Sequence, residues 1–203
     1  MKGINFIEDL FNATIGGRKT QTRRIMKPQP ILDEKGNPTA DWENIYNKPR
    51  YKVGEIVYLK EPYRFTHIDN VWFINYLYNR NKKDFPISAG NRELHKALVQ
   101  QEKSKSGWCN KLFMPAKYAR YFIEITALRY ERLQNISDED CMKEGIRKIG
   151  EMYAYNYICN RIHYFKNPQN AYTSMINKIS GRRTWESNPY VWVYDYVLTN
   201  KKN

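Results

Sequence analysis

The run from Tyr118 to Leu133 is the segment that most restricts what this chain can fold into. It is rich in Tyr, Phe, Ile and Thr and alternates with the period of a strand. Phe122, Glu124, Thr126 and Leu128 fall on one side, and Ile123, Ile125 and Ala127 on the other. A strand of that length has to be the principal member of a sheet. Tyr190–Leu198 is a further strand, hydrophobic on both faces in its first half, so both sides of it must be covered. Ile56–Glu61 and Thr20–Met26 read as shorter strands, the second halted by Pro28 and Pro30.

Three segments carry helical spacing instead. Phe6, Ile7, Leu10, Phe11 and Thr14 recur on one stripe that stops at Gly16-Gly17, a glycine pair suited to a left-handed cap. Ser137 caps a short helix with an acidic first turn, Ile136 and Cys141 staple it, and Gly145 closes it. Asn167-Pro168 opens a third, with Ala171, Tyr172, Met175, Ile176 and Ile179 on one stripe and Gly181 as its stop. The order helix, strand, strand, long strand, short helix, helix, strand fits neither a βαβ repeat nor a helical array. It suits an α+β fold, a compact mixed β-barrel with flanking short helices.

Residues 31 to 51 carry turn chemistry and read as a surface excursion, and about 64–107 reads as an insertion. Within the insertion Val71–Tyr76 suggests a hairpin arm, and Asn91 a cap for a helix bearing Leu94, Ala97 and Leu98. A chain of 203 residues buries one good core without a second, so a single domain over 1–203 is expected. Met1-Lys2-Gly3-Ile4 begins no signal peptide and no window is apolar for the length of a membrane span, so the expected location is the cytoplasm, with no membrane partner. Cys109, Cys141 and Cys159 are odd in number and widely spaced, and His67, His95 and His163 are scattered. Neither a disulfide framework nor a metal site is indicated, and no cofactor is expected.

Lys and Arg number 34 against 21 acidic residues, a net charge of +13 that favours a polyanionic partner, RNA or a nucleotide or nucleoside ligand. The densest basic cluster is Gly17-Arg18-Lys19-Thr20-Gln21-Thr22-Arg23-Arg24. It can hold phosphate through backbone amides near the glycines and through its cationic heads, although it is not a P-loop. An ordinary basic edge strand, guarded by its charges against mispairing, fits the same residues. Trp192, Tyr194 and Tyr196 are candidates for a base-stacking platform, and equally for core. Val57, Leu59 and Glu61 share a strand face, which turns Glu61 inward; with Arg120 it can form a structural ion pair or line a ligand cleft.

Taken with Val53–Glu61, Ile123–Thr126, Glu131–Ser137 and Asn188–Val193, the Gly17–Arg24 stretch resembles the ASCH domain family in its bacteriophage and prophage form. The resemblance covers nearly the whole chain, leaving out about 64–107 and 147–168. It implies a PUA-like β-barrel that binds RNA or modified nucleosides; in the binding reading Arg18, Lys19, Arg23 and Arg24 hold phosphate, with Thr20 beside them at the ligand. A small family member hydrolyses N4-acetylcytidine with a Lys, a Thr and a Glu. On its Gly-Arg-Lys-Thr-x-Thr motif the Lys and the reactive Thr fall at Lys19 and Thr22, and aligning the helix starts places the Glu at Glu144.

The chemistry fits those residue types. A Thr hydroxyl needs an adjacent base, and a lysine serves as one when desolvation or neighbouring cations such as Arg18, Arg23 and Arg24 lower its pKa. Glu144 precedes Gly145 at a helix end, where the dipole disfavours a charged carboxylate. Three functions therefore stand as expectations: RNA or nucleotide binding, amide hydrolysis on an acylated nucleoside, and ribonuclease action at the same basic segment.

Overall fold

The computed structural model describes residues 1–39, 48–69, 71–78, 92–157 and 161–200, and its contacts divide the chain into two units. The fold class is α+β, as the element order predicts. Among the described residues the recorded strand pairings close no barrel.

The first unit comprises Met1–Asn12, Ile56–Ile123 and Thr199–Asn203. In it β1 (Gly3–Asn5) runs parallel to β3 (Ile56–Lys60), with Ile4 opposite Leu59. Val57 and Leu59 are wholly buried, as their shared strand face requires. The expected arm at Val71–Tyr76 is half of an antiparallel hairpin, β4 (Tyr63–Ile68) with β5 (Val71–Tyr76). Behind it lies α2 (Arg92–Glu102), whose Gln101 amide accepts from the Phe65 N–H at 2.8 Å and donates to the Phe65 carbonyl at 3.0 Å. Tyr63, Phe65, Ile74, Tyr76, Leu94 and Phe122 belong to the core between them. Asn91, expected to cap α2, lies outside the described residues.

The second unit comprises Ala13–Glu55 and Glu124–Leu198. The helix α1 (Glu8–Ile15) ends into it at Gly17, whose φ of 74° is the left-handed conformation that the glycine pair predicts. The principal strand β6 (Phe122–Arg132) neighbours β10 (Tyr190–Thr199), which pairs antiparallel with β2 (Gln21–Ile25). Ser137 caps α3 (Asp138–Lys143), its Oγ accepting from the Asp140 N–H at 3.1 Å. Gly145, at φ 108°, follows that helix. Asn167 caps α4 (Pro168–Ser180) in the same way.

Three strands that the sequence reading did not name, β7 (Arg147–Ile149), β8 (Met152–Tyr157) and β9 (Arg161–Phe165), form an antiparallel sheet. Its strands are short, and α4 supplies what they lack in length. The Tyr155 ring stacks on His163 and Phe165 while its hydroxyl meets Ser174 Oγ of α4 at 2.8 Å. Among the described residues, no helix is long and apolar enough to cross a membrane.

Candidate functional site

Strand β2 carries the basic segment, and its pleat sorts that segment into two faces. Opposite residues of an antiparallel pair share a face, so Gln21 and Arg23 lie with Asp195 and Val193, and Thr22 and Arg24 with Tyr194 and Trp192. Lys19 joins the first set: its Nζ lies 2.6 Å from Glu144 Oε2 and donates to the Gln21 and Glu144 carbonyls at 2.6 and 2.9 Å. Its position follows from two backbone anchors. The Lys19 N–H donates to the Ala13 carbonyl at the end of α1, and the Thr20 N–H donates to Lys143 O at the end of α3. The segment is thereby pinned between two helix ends whose last carbonyls need donors.

Around this pair lies a network of charges. Arg23 reaches Glu131 Oε1 at 2.7 Å, Asp140 Oδ2 at 2.8 Å and Glu144 Oε1 at 3.4 Å, and it also donates to the Gln21 side chain. Arg129, more exposed, spans Asp140 at 2.6 Å, Asp195 at 3.0 Å and Glu131 at 3.3 Å. Gln21 completes the ring by donating to Asp195 at 2.7 Å. Lys19, Arg23 and Glu144 are buried, and burial of charge is tolerated here because every ion has opposite charges and hydrogen bonds around it.

Burial lowers the pKa of Lys19; the Glu144 carboxylate opposes that shift without cancelling it. Asp140 is held below the ordinary carboxylate range: its partial burial works the other way, and the Arg23 and Arg129 charges outweigh it. The Tyr172 ring from α4 is buried beside the network, and its hydroxyl has no hydrogen-bond partner among the described residues. Burial, with the Glu144 charge second, keeps that phenol protonated far above its usual range.

Lys19 and Glu144 are therefore brought together, and Thr22 is not brought to them. Thr22 is buried opposite Tyr194, and no hydrogen bond joins it to Lys19 among the described residues. Arg18 is exposed, and Thr20 and Arg24 are half-buried. Glu61 and Arg120 meet in the first unit: the guanidinium donates to both carboxylate oxygens at 2.9 and 2.7 Å and to the Tyr78 carbonyl at 2.9 Å. It also lies 4.1 Å from the centre of the Tyr76 ring. Burial raises the Glu61 pKa, and Arg120 opposes the shift.

From the sequence, no individual site role fell to Gln21, Glu131, Asp140, Asp195, Arg129 or Tyr172. Strand alternation carries a signal for Gln21 and Glu131, whereas Asp140 looked like a first-turn acid serving only the dipole of α3. Tyr194 and Tyr196 are buried, their hydroxyls bonded to the Arg50 N–H and to Thr14 Oγ1 at 3.1 Å each, while Trp192 is half-buried. Compared with protein-family models, curated proteins and solved structures, the chain matches none.

Proposed function

We propose that this protein binds RNA or a nucleotide, as a PUA-like member of the ASCH type, with the Gly17–Arg24 segment at the edge of the binding surface. The observation that carries this reading is where the charge goes. The chain has 34 Lys and Arg against 21 acids, and Glu131, Asp140, Glu144 and Asp195 are already engaged by Lys19, Arg23, Arg129 and Gln21. Cations outside the cluster, Arg18 among them, thus make up a basic surface in excess of the acids left to balance it. Exposed Arg18, with half-buried Thr20 and Arg24, is then better placed for phosphate than Lys19 and Arg23, which are buried among carboxylates. Binding to immobilised RNA should be strong at low ionic strength and fall steeply with salt through counterion release. Absence of retention at low salt defeats this reading.

One specific observation favours a second reading, hydrolysis of an acylated nucleoside: the buried contact of Lys19 with Glu144 and the lowered pKa of that lysine. Water adds across the amide of N4-acetylcytidine, the acyl carbon–N4 bond breaks, and acetate and cytidine leave. Lys19 takes the proton from Thr22 as its oxygen attacks the acyl carbon, and Glu144 gives one to N4 as the carbon–nitrogen bond breaks and cytidine leaves. Water then hydrolyses the Thr22 ester, releasing acetate and restoring the protons. That route requires Thr22 to come within hydrogen-bonding reach of Lys19 when substrate binds. Cytidine release from N4-acetylcytidine, abolished by both Lys19→Ala and Thr22→Ala, is the expected result. Turnover that survives both substitutions rejects these roles.

A further inference from the structure

The pleat that turns Arg129 and Glu131 of β6 toward the carboxylate network turns Tyr130 and Arg132 to the opposite face. There they meet Tyr190 and Trp192 of β10. The Tyr130 ring centre lies 6.3 Å from Tyr190 and 6.2 Å from Trp192, the second contact edge-on at 84°. The Arg132 guanidinium lies 4.1 Å from the centre of the Tyr190 ring, and its Nη1 donates to the Asn188 carbonyl at 3.1 Å. Among the described residues Arg132 makes no ion pair, unlike Arg23 and Arg129 one strand face away.

This face is also partly open. Tyr130 is 37% exposed, and Trp192 and Arg132 are half-buried, whereas Tyr194 further along β10 is enclosed. An accessible aromatic ring offers a π-face on which any base can stack, and a guanidinium without a carboxylate attracts the phosphates that connect the bases. The net charge of +13 favours a polyanion over an acidic or neutral protein of matching shape only where the local cations are not neutralised, and this is such a place.

We propose that Tyr130, Trp192 and Arg132 form a base-stacking surface for single-stranded RNA. The proposal rests on the RNA-binding reading above and assigns it to the face of the sheet opposite the Lys19–Glu144 pair. A duplex keeps its bases stacked on each other and cannot use the rings, so strandedness separates stacking from general charge attraction.

The test is fluorescence anisotropy with a short fluorescein-labelled oligouridine, alone and annealed to its complement, for the full chain and its Tyr130→Ala and Tyr130→Phe variants. Thermal unfolding of each variant verifies that the exposed substitution leaves the fold intact. Tyr130→Ala should weaken single-strand binding by roughly tenfold or more, the usual loss for one stacked base. Tyr130→Phe should retain it, and duplex binding should not change. Single-strand affinity unaltered by Tyr130→Ala, or an equal loss for single strand and duplex, overturns the stacking surface while leaving RNA binding in place. Failure of the unsubstituted chain to bind either probe at low salt overturns the RNA-binding reading itself.

Discussion

Lys19 Nζ and Glu144 Oε2 lie 2.6 Å apart with both side chains buried, across 125 positions of sequence. Each is the nearest opposite charge to the other, and Arg23 at 3.4 Å gives Glu144 a second partner. Removing one member leaves a buried ion without its counter-charge. Glu144→Gln should therefore lower unfolding stability by about 3–5 kcal/mol, read from urea titration. The apolar double replacement Lys19→Met with Glu144→Leu should cost less than Glu144→Gln alone.

The same variant has a pH signature. Loss of the Glu144 charge removes what opposes the burial of Lys19, so its folded-state pKa falls further below the ordinary 10.5. Between that lowered value and 10.5 the unfolded chain holds a proton that the folded one does not. Stability of Glu144→Gln should accordingly rise with pH across this window, and the part of the rise that lies below the folded-state value of Lys19 in the unsubstituted protein narrows its deficit. A deficit that stays constant across the window contradicts a buried lysine at this place.

Asp140 shows the opposite case. Its folded-state pKa is depressed below the ordinary 3.8, despite the contrary pull of burial, by hydrogen bonds and charges from Arg23 and Arg129. The stability it contributes is present above 3.8 and is lost as pH falls through the folded-state value. Acid titration of Asp140→Asn, followed by circular dichroism, should show a shallower loss of stability in that range.

In the first unit, Arg120 bonds both oxygens of the wholly buried Glu61 in a fork that a lysine cannot reproduce. Arg120→Lys should lower the thermal midpoint clearly, and Arg120→Met should cost about 3–5 kcal/mol. Equal stability of all three forms would show that the pair carries no structural weight.

Cys109 and Cys141 are buried, and burial pushes their thiols up to about 11 and about 12. At neutral pH neither supplies thiolate to an alkylating reagent. Iodoacetamide followed by peptide mass mapping should leave both unmodified in the folded protein and modify both in urea.

Much of the fold was legible because the responsible forces are local. Gly17 ends α1, Ser137 and Asn167 cap their helices, and the alternation in β6 and β10 marks strands, since each depends on residues a few positions apart. The inward turn of Glu61 follows from strand parity in the same way. The strands β7, β8 and β9 are short, and α4, which follows them in the chain, packs against them, with Ser174 meeting the Tyr155 hydroxyl.

The site divides along the same line. By itself the sequence determined that the Gly17–Arg24 segment is a strongly basic strand entered from a helix end, because charge and period are properties of neighbours. Only the tertiary structure decided that Lys19 and Arg23 face buried carboxylates while Thr22 and Arg24 face Tyr194 and Trp192. That division depends on which carboxylates β6 and α3 bring to one side of the sheet. Their positions come from chain folding over more than a hundred residues, and no window of sequence around Lys19 contains them.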